Sequence, residues 1–168
     1  FDFVVVGAGS AGCDMANRLS ASGKHSVCLI EAGGRDDWIW FHIPVGYLFA
    51  IGNERADWLF NTEVEPGLGG RSIAYPRGKV LGGSSAINAM IYMRGQAADY
   101  DGWRDSGLPG WGWNDVLPMF KRHEDYYGEE SQYHHKSGEL AISQPRLRWE
   151  ILDAFILAAE QVGIPRTS

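Results

Sequence analysis

The sequence predicts an α/β domain built on a doubly wound parallel sheet, and three stretches predict it. The first is Phe3-Val4-Val5-Val6, a strand-forming run that leads directly into Gly7-Ala8-Gly9-Ser10-Ala11-Gly12. The second is Ala11, Met15, Ala16 and Leu19, apolar residues at helical spacing before Gly23, a natural helix C-cap. The third is Ser26-Val27-Cys28-Leu29-Ile30, a second apolar strand ending at Glu31, nineteen residues after Gly12.

Strand, glycine turn, helix and strand in this order present backbone N–H groups to a pyrophosphate. Gly7 permits the sharp turn, Gly9 lets the backbone approach the phosphates without a Cβ, and Gly12 lets the helix pack closely on the strand. An acidic residue about 20 residues beyond the glycines is where a ribose-binding carboxylate stands. The reading is a dinucleotide-binding βαβ unit of Rossmann type, with the first strand buried.

Length and composition narrow the function. At 168 residues the chain is one domain's worth and large enough to bury a proper core. It begins inside a strand and stops just after Gly163-Ile164-Pro165, which suggests a piece of a larger protein. A net charge of −6, with both signs interspersed, offers no basic footprint for nucleic acid. The two cysteines, Cys13 and Cys28, are expected to be reduced core thiols, which fits a cytoplasmic setting. No metal-ligand cluster is read from the sequence. Trp38 to Ile51, the most apolar stretch, is too short to span a bilayer and contains His42, Pro44 and Gly46. It reads as a buried loop and short helix, with peripheral contact at a membrane surface as the alternative.

Further along, Ala32-Gly33-Gly34 leaves the nucleotide face as a glycine-rich loop. Trp58 to Val64 has strand character, and the cluster Gly67-Leu68-Gly69-Gly70 turns it into Ser72-Ile73-Ala74-Tyr75, a hairpin pattern. Pro76 to Gly95 is the second informative stretch. Its Gly82-Gly83 pair, followed by Ser84-Ser85 and an apolar run, reads as a second glycine turn opening a second helix, with hydroxyls and N–H groups free at its start. An ordinary serine-capped helix is the competing reading. Two anion-ready turns suggest a ligand with more than one polar end.

The remaining chain carries structural signals. Trp103, Trp111 and Trp113 read as packing residues between helices. Asn114 is placed to cap a helix running to about Asp125, with Pro118 in its first turn. His134-His135 stands on a polar loop and is read as solvated rather than as a catalytic pair. Gly138 to Ser143 reads as a short strand. Trp149, Leu152, Phe155, Ile156, Ala159 and Val162 predict an amphipathic helix ended by Gly163.

These residues together resemble the N-terminal part of the glucose–methanol–choline (GMC) family of flavin-dependent oxidoreductases, closest to its choline dehydrogenase-like and alcohol dehydrogenase-like members. The resemblance runs over essentially the whole chain. It rests on the βαβ unit to Glu31-Ala32-Gly33, the segment from Trp58 to Glu65-Pro66, the block Pro76 to Gly95, Asp99-Tyr100-Asp101-Gly102-Trp103, and Gly110-Trp111-Gly112-Trp113 before Asp115-Val116-Leu117-Pro118. The run from Gly78 to Asp101 fits the family's first signature.

The resemblance implies FAD. Carried over to this sequence, Gly7, Gly9, Ser10, Ala11 and Gly12 hold the pyrophosphate, with Glu31, followed by Ala32, at the adenosine ribose. Gly83 and Ser84 approach the phosphates and ribityl chain, and Asn88, Ala89, Met90 and Ile91 line the isoalloxazine. The Asn88 amide suits a uracil-like ring edge because it both donates and accepts. Trp58 is a looser candidate for a flavin-side contact. Some relatives attach FAD through a histidine at the position held here by Ile87, so the cofactor is expected to be noncovalent.

The implied activity is oxidation of an alcohol CH–OH to a carbonyl by hydride transfer to flavin N5, with oxygen or a quinone as acceptor. The family's catalytic histidines lie far downstream, so no catalytic residue is assigned here and the C-terminal remainder of the protein is an expected partner. Residues 1–142 are expected to form the FAD-binding domain and 143–168 the beginning of the substrate-domain region. An NAD-dependent dehydrogenase shares the first turn and Glu31 but has no need of the Gly78 to Gly95 block. A lyase of the same family that keeps FAD as a structural part, and a non-catalytic flavin-binding module, are two further readings of the same residues.

Overall fold

A computed structural model describes residues 1–166 and divides into two compact units, Phe1–Ile91 and Tyr92–Ser168. In the first, strand β1 (Phe3–Val6) leads through the glycine turn into helix α1 (Ser10–Ser20) and back to strand β2 (Val27–Ile30). The two strands pair in parallel, with Phe3 opposite Val27 and Val6 opposite Ile30. This is the expected βαβ unit. A chain that turns at Gly7 with φ +91° and caps its helix near Gly23 with φ +67° uses glycine where other residues would be strained.

After β2 come two single 3₁₀ turns, Ile39–Phe41 and Pro44–Gly46, and the short helix α2 (Tyr47–Ala50). The segments from Asp57 to Arg71 and on to Gly78 face one another antiparallel through the bridges Asp57↔Gly78, Asn61↔Ala74 and Glu65↔Arg71. The expected hairpin is therefore present as spaced bridges, turned by a 3₁₀ segment at Pro66–Leu68. Asp57 to Val80 returns the chain to the βαβ unit, where Val80 bridges Gly34 in parallel.

The second unit holds α3 (Ala97–Asp105), α4 (Trp113–His123), a parallel pair of short strands β3 (Glu124–Tyr126) and β4 (Leu140–Ile142), and α5 (Glu150–Gln161). Helix α4 begins two residues earlier than expected. Its N-cap is Gly112, whose N–H donates to Asp115 Oδ2 at 3.1 Å. Pro118 accordingly sits in the second turn, where its missing N–H leaves the Asn114 carbonyl without a helical partner. Tyr100, Trp103, Trp111, Trp113 and Phe120 form an aromatic cluster with ring centroids 5.5 to 6.5 Å apart, although Trp103 and Trp111 remain about half exposed.

Four expectations about burial are corrected. The strands are not buried: Val6 is 82% and Ile30 49% exposed. A parallel sheet needs cover on both faces, and among the described residues β1 and β2 have only each other in their sheet. Trp38 to Ile51 is largely open as well, with only Gly46 and Ala50 buried. The proper core expected from length shrinks to Ala8, Ala50, Ala56, Val80 and Ile87. Cys13 is exposed and Cys28 half-buried, and both thiols are free.

Candidate functional site

The site is assembled entirely within Phe1–Ile91, where the two glycine turns meet. The N–H of Gly7 donates to Ile30 O at 2.7 Å, which fixes the exit of β1 against the exit of β2. The next residue, Ala8, is fully buried, and its N–H donates to Glu31 Oε2 at 2.7 Å. The other carboxylate oxygen, Oε1, accepts the Gly33 N–H at 2.8 Å. Glu31 thus ties the first turn to the loop that follows β2. Each carboxylate oxygen accepts more than one hydrogen bond, so acceptor capacity remains for hydroxyls of a ligand.

The backbone around Gly9 is open: a Cβ built there meets nothing within 4 Å. Gly9 is also the N-cap of α1, so the first N–H groups of that helix point out unpaired by its own turns. No acidic residue stands in the first turn of α1 to compete for them. Gly12 has the opposite surroundings, since a Cβ there would lie 1.8 Å from Gly7 O. The two glycines therefore serve different ends, access at Gly9 and close packing at Gly12.

The second turn lies directly against the first. Gly82 donates to Ala8 O at 2.7 Å, and a Cβ on Gly83 would sit 2.8 Å from the Gly9 Cα. Ser10 Oγ and Ser85 Oγ are hydrogen-bonded across the junction. Ser84 Oγ accepts the Gly78 N–H at 3.2 Å, a bond that does not use the serine's own proton. The helix expected after this turn is absent. Gly83–Ala86 makes one 3₁₀ turn, and Ile87 closes it with φ −124° and buries itself beside Ala50 and Ala56.

The residues from Asn88 to Ile91 form no helix or strand, and their side chains are open. Ile91 is 76% and Met90 57% exposed, while Asn88 and Ala89 are exposed too. Asn88 Oδ1 accepts the Met90 N–H at 2.8 Å, holding Met90 in the left-handed region at φ +56°. The Asn88 oxygen keeps one acceptor position, and its NH₂ remains to donate to a ligand. Trp58 lies on the returning segment, its ring stacked parallel to Phe60 at 5.8 Å with Lys79 Nζ 4.9 Å from its centre.

All fourteen sequence-predicted site residues fall in this one unit, and Gly7, Gly9, Ser10, Gly12, Glu31 and Gly83 are joined through contacts around the two turns. Sequence reasoning missed Asp57, buried beneath the return segment, and did not single out Ser85 from the serine pair. In the second unit it also missed Glu124, which is fully buried. His134, expected to be solvated, is half-buried, stacked on Tyr126 at 4.0 Å and 3.2 Å from Glu124 Oε1. His135 is exposed and pairs with Glu130 at 2.8 Å.

Comparison with known proteins identifies the family. The family model described as GMC oxidoreductase matches residues 1–168. The chain is 44% identical over its whole length to an oxygen-dependent choline dehydrogenase of Vibrio vulnificus (strain YJ016), covering 30% of that protein. It is 46% identical over 99% of its length to the oxygen-dependent choline dehydrogenase of Brucella anthropi, again covering 30%. Among solved structures, pyridoxine 4-oxidase from Mesorbium loti superposes over 99% of the chain and 33% of its own, with a TM-score of 0.89 and 39% identity. The chain thus spans about a third of the length of the relatives it matches. Among the described residues, no helix is long and apolar enough to cross a membrane.

Proposed function

The chain belongs to the GMC oxidoreductase family, and from that premise we propose that it is the FAD-binding part of an enzyme oxidising an alcohol CH–OH to a carbonyl. Bound FAD supplies the redox chemistry by accepting a hydride at flavin N5, and the protein supplies position and electrostatics. The observation that carries the reading is the junction of the two glycine turns, with Gly83 against Gly9 and Ser10 bonded to Ser85 beside Glu31. It makes one surface rich in N–H and hydroxyl donors with a carboxylate at its edge, the chemistry that a pyrophosphate next to a ribose needs.

In this proposal the open backbone at Gly9, with Ser10, Ala11 and Gly12 at the start of α1, receives the pyrophosphate, and Glu31, followed by Ala32, takes the adenosine ribose. Ser84 donates its hydroxyl proton to the phosphate or ribityl chain, and Gly83 brings the two turns close enough to share one ligand. Asn88, Ala89, Met90 and Ile91 offer a flat apolar edge with one amide donor to the isoalloxazine, and Trp58 is a further flavin-side contact. Nothing in the run Ile87 to Ile91 carries a nucleophile suited to flavin attachment, which supports noncovalent binding. Residues 1–142 form the FAD-binding domain and 143–168 lead into the substrate domain, whose remainder supplies the catalytic base.

The substrate is a small alcohol, and the acceptor is oxygen or a quinone. The oxygen-dependent choline dehydrogenase relatives favour oxygen and make choline the first alcohol to try. The protein is cytoplasmic, with peripheral membrane association as the alternative. The test is the full-length protein: a flavin absorption spectrum that choline or another alcohol bleaches anaerobically and oxygen or a quinone restores. A colourless protein that takes up no added FAD overturns the proposal.

A further inference from the structure

Asp57 is 3% exposed, yet its carboxylate has no ion-pair partner among the described residues. It accepts three backbone N–H groups instead: Gly52 on Oδ2 at 2.9 Å, and Leu59 and Arg77 on Oδ1 at 3.1 and 3.0 Å. A buried carboxylate is retained only where such bonds replace its water. Here they tie the local chain on either side of Asp57, just past α2 and just past Trp58, to the segment entering Gly78, twenty residues on. Leu59 is held in the left-handed region at φ +57°, a conformation disfavoured for a non-glycine residue and one that the Asp57 bond supports.

The peptides on either side of Arg77 are both fixed. Asp57 Oδ1 holds the N–H of the Pro76–Arg77 peptide, and the Trp58 N–H holds the carbonyl of the Arg77–Gly78 peptide at 2.9 Å. The Gly78 N–H is thereby aimed at Ser84 Oγ. Gly78 also packs so tightly on the second turn that a Cβ there would lie 2.1 Å from Gly83 O. A rotation of the chain at Arg77 would move both contacts.

We propose that Asp57 is a positioning residue for the second glycine turn, acting through Arg77 and Gly78 to set the orientation of Ser84 Oγ toward the ligand. This rests on the FAD reading above. Asp57 lies outside the proposed contact set and works only through the peptides that it holds.

The two carboxylate oxygens separate positioning from stability. In Asp57→Asn the amide oxygen stays on Leu59 and Arg77, because the flipped amide would oppose two donors rather than one. Only the Gly52 bond is lost. In Asp57→Ala every bond is lost. In the full-length protein, FAD affinity is expected to stay within about threefold of wild type in Asp57→Asn, even where its melting temperature falls, and to drop about tenfold or more in Asp57→Ala. Should Asp57→Ala be recovered unfolded, Asp57→Ser replaces it. Its short hydroxyl reaches the Leu59 N–H two residues on but not Arg77, so the same tenfold loss is expected. Wild-type FAD affinity in Asp57→Ala or Asp57→Ser, or equal losses in Asn and Ala, would overturn the positioning role. A wild-type protein that binds no FAD fails the cofactor reading instead, which the untouched control distinguishes.

Discussion

Gly83 presses on Gly9 so closely that a Cβ on Gly83 would fall 2.8 Å from the Gly9 Cα. Gly83 also has φ +55°, in the left-handed region. Gly83→Ala therefore meets backbone it cannot displace and a conformation it disfavours. It is expected to destabilise the protein by about 1–3 kcal/mol and to separate the two turns. Thermal unfolding and FAD titration of the full-length variant check this; a variant with unchanged melting temperature and flavin content would mean that the turns do not need their close approach.

Gly9 gives the contrasting case, because its Cβ position is open. Gly9→Val should cost the fold little, since the Cβ position meets nothing within 4 Å, yet it fills the space through which a phosphate reaches the start of α1. The expected outcome is a folded protein that purifies without flavin. Stoichiometric flavin in this variant would sink the assignment of the first turn.

Glu31 joins structure and binding in one side chain. In Glu31→Gln one of the two N–H groups it now accepts, from Ala8 or Gly33, faces an amide NH₂ instead. FAD affinity is expected to fall by about 1–3 kcal/mol, with Glu31→Ala at least as severe because both N–H groups then lose their partner. Isothermal titration of apoprotein with FAD measures it, and an unchanged dissociation constant in both variants would remove Glu31 from the ribose.

How much of this was legible in the sequence follows from how local each cause is. β1, the Gly7 to Gly12 turn, α1 and β2 were readable because each is specified by residues next to one another, and Glu31 by its distance from Gly12. The helix expected after Ser84-Ser85 failed for a non-local reason. Ile87 is drawn into the niche between Ala50 and Ala56, and Ser84 is tied to Gly78, so the chain leaves the helical path after one turn. Asp57 and Glu124 were illegible for the same reason. A carboxylate looks exposed in a sequence, and only the fold brings the Arg77 N–H to Asp57 and the Arg94 guanidinium to Glu124. The open strands show the limit in the other direction: Val4 and Val6 are patterned for cover that the described residues do not supply.

Glu124 makes an acid-stability prediction for the second unit. Burial alone would raise its carboxyl, but the His135 N–H, Arg94 and His134 outweigh burial and hold it below the ordinary glutamate range. A carboxyl whose folded pKa is depressed adds stability that is present above its unfolded pKa and lost as pH falls through the folded one. The melting temperature should therefore drop as pH falls below the ordinary glutamate range, and this loss should be shallower in Glu124→Gln. Arg94→Met, which leaves the buried carboxylate without its cation 2.6 Å away, is expected to cost about 3–5 kcal/mol at neutral pH. Parallel acid profiles for wild type and Glu124→Gln would show that the pair carries no such linkage.

Ile87 bears on how the cofactor is held. It is 2% exposed and packed with Ala50 and Ala56, so its side chain points into the protein and offers no atom for a bond to flavin. The exposed residues after it, Asn88, Ala89, Met90 and Ile91, bring an amide, a methyl, a thioether and a hydrocarbon, none of which forms a stable flavin linkage. Acid precipitation of the full-length protein should therefore leave its flavin colour in the supernatant. Ile87→His places an imidazole where only apolar side chains pack, with the cost of burying an unpaired polar group, about 1–3 kcal/mol. The same packing keeps that imidazole from reaching a ligand on the open side of the chain. The variant is expected to melt lower and still release its flavin on precipitation. Yellow pellets from wild type would place a covalent bond at a residue outside this run, and yellow pellets from Ile87→His alone would show that position 87 turns outward when the cofactor is bound.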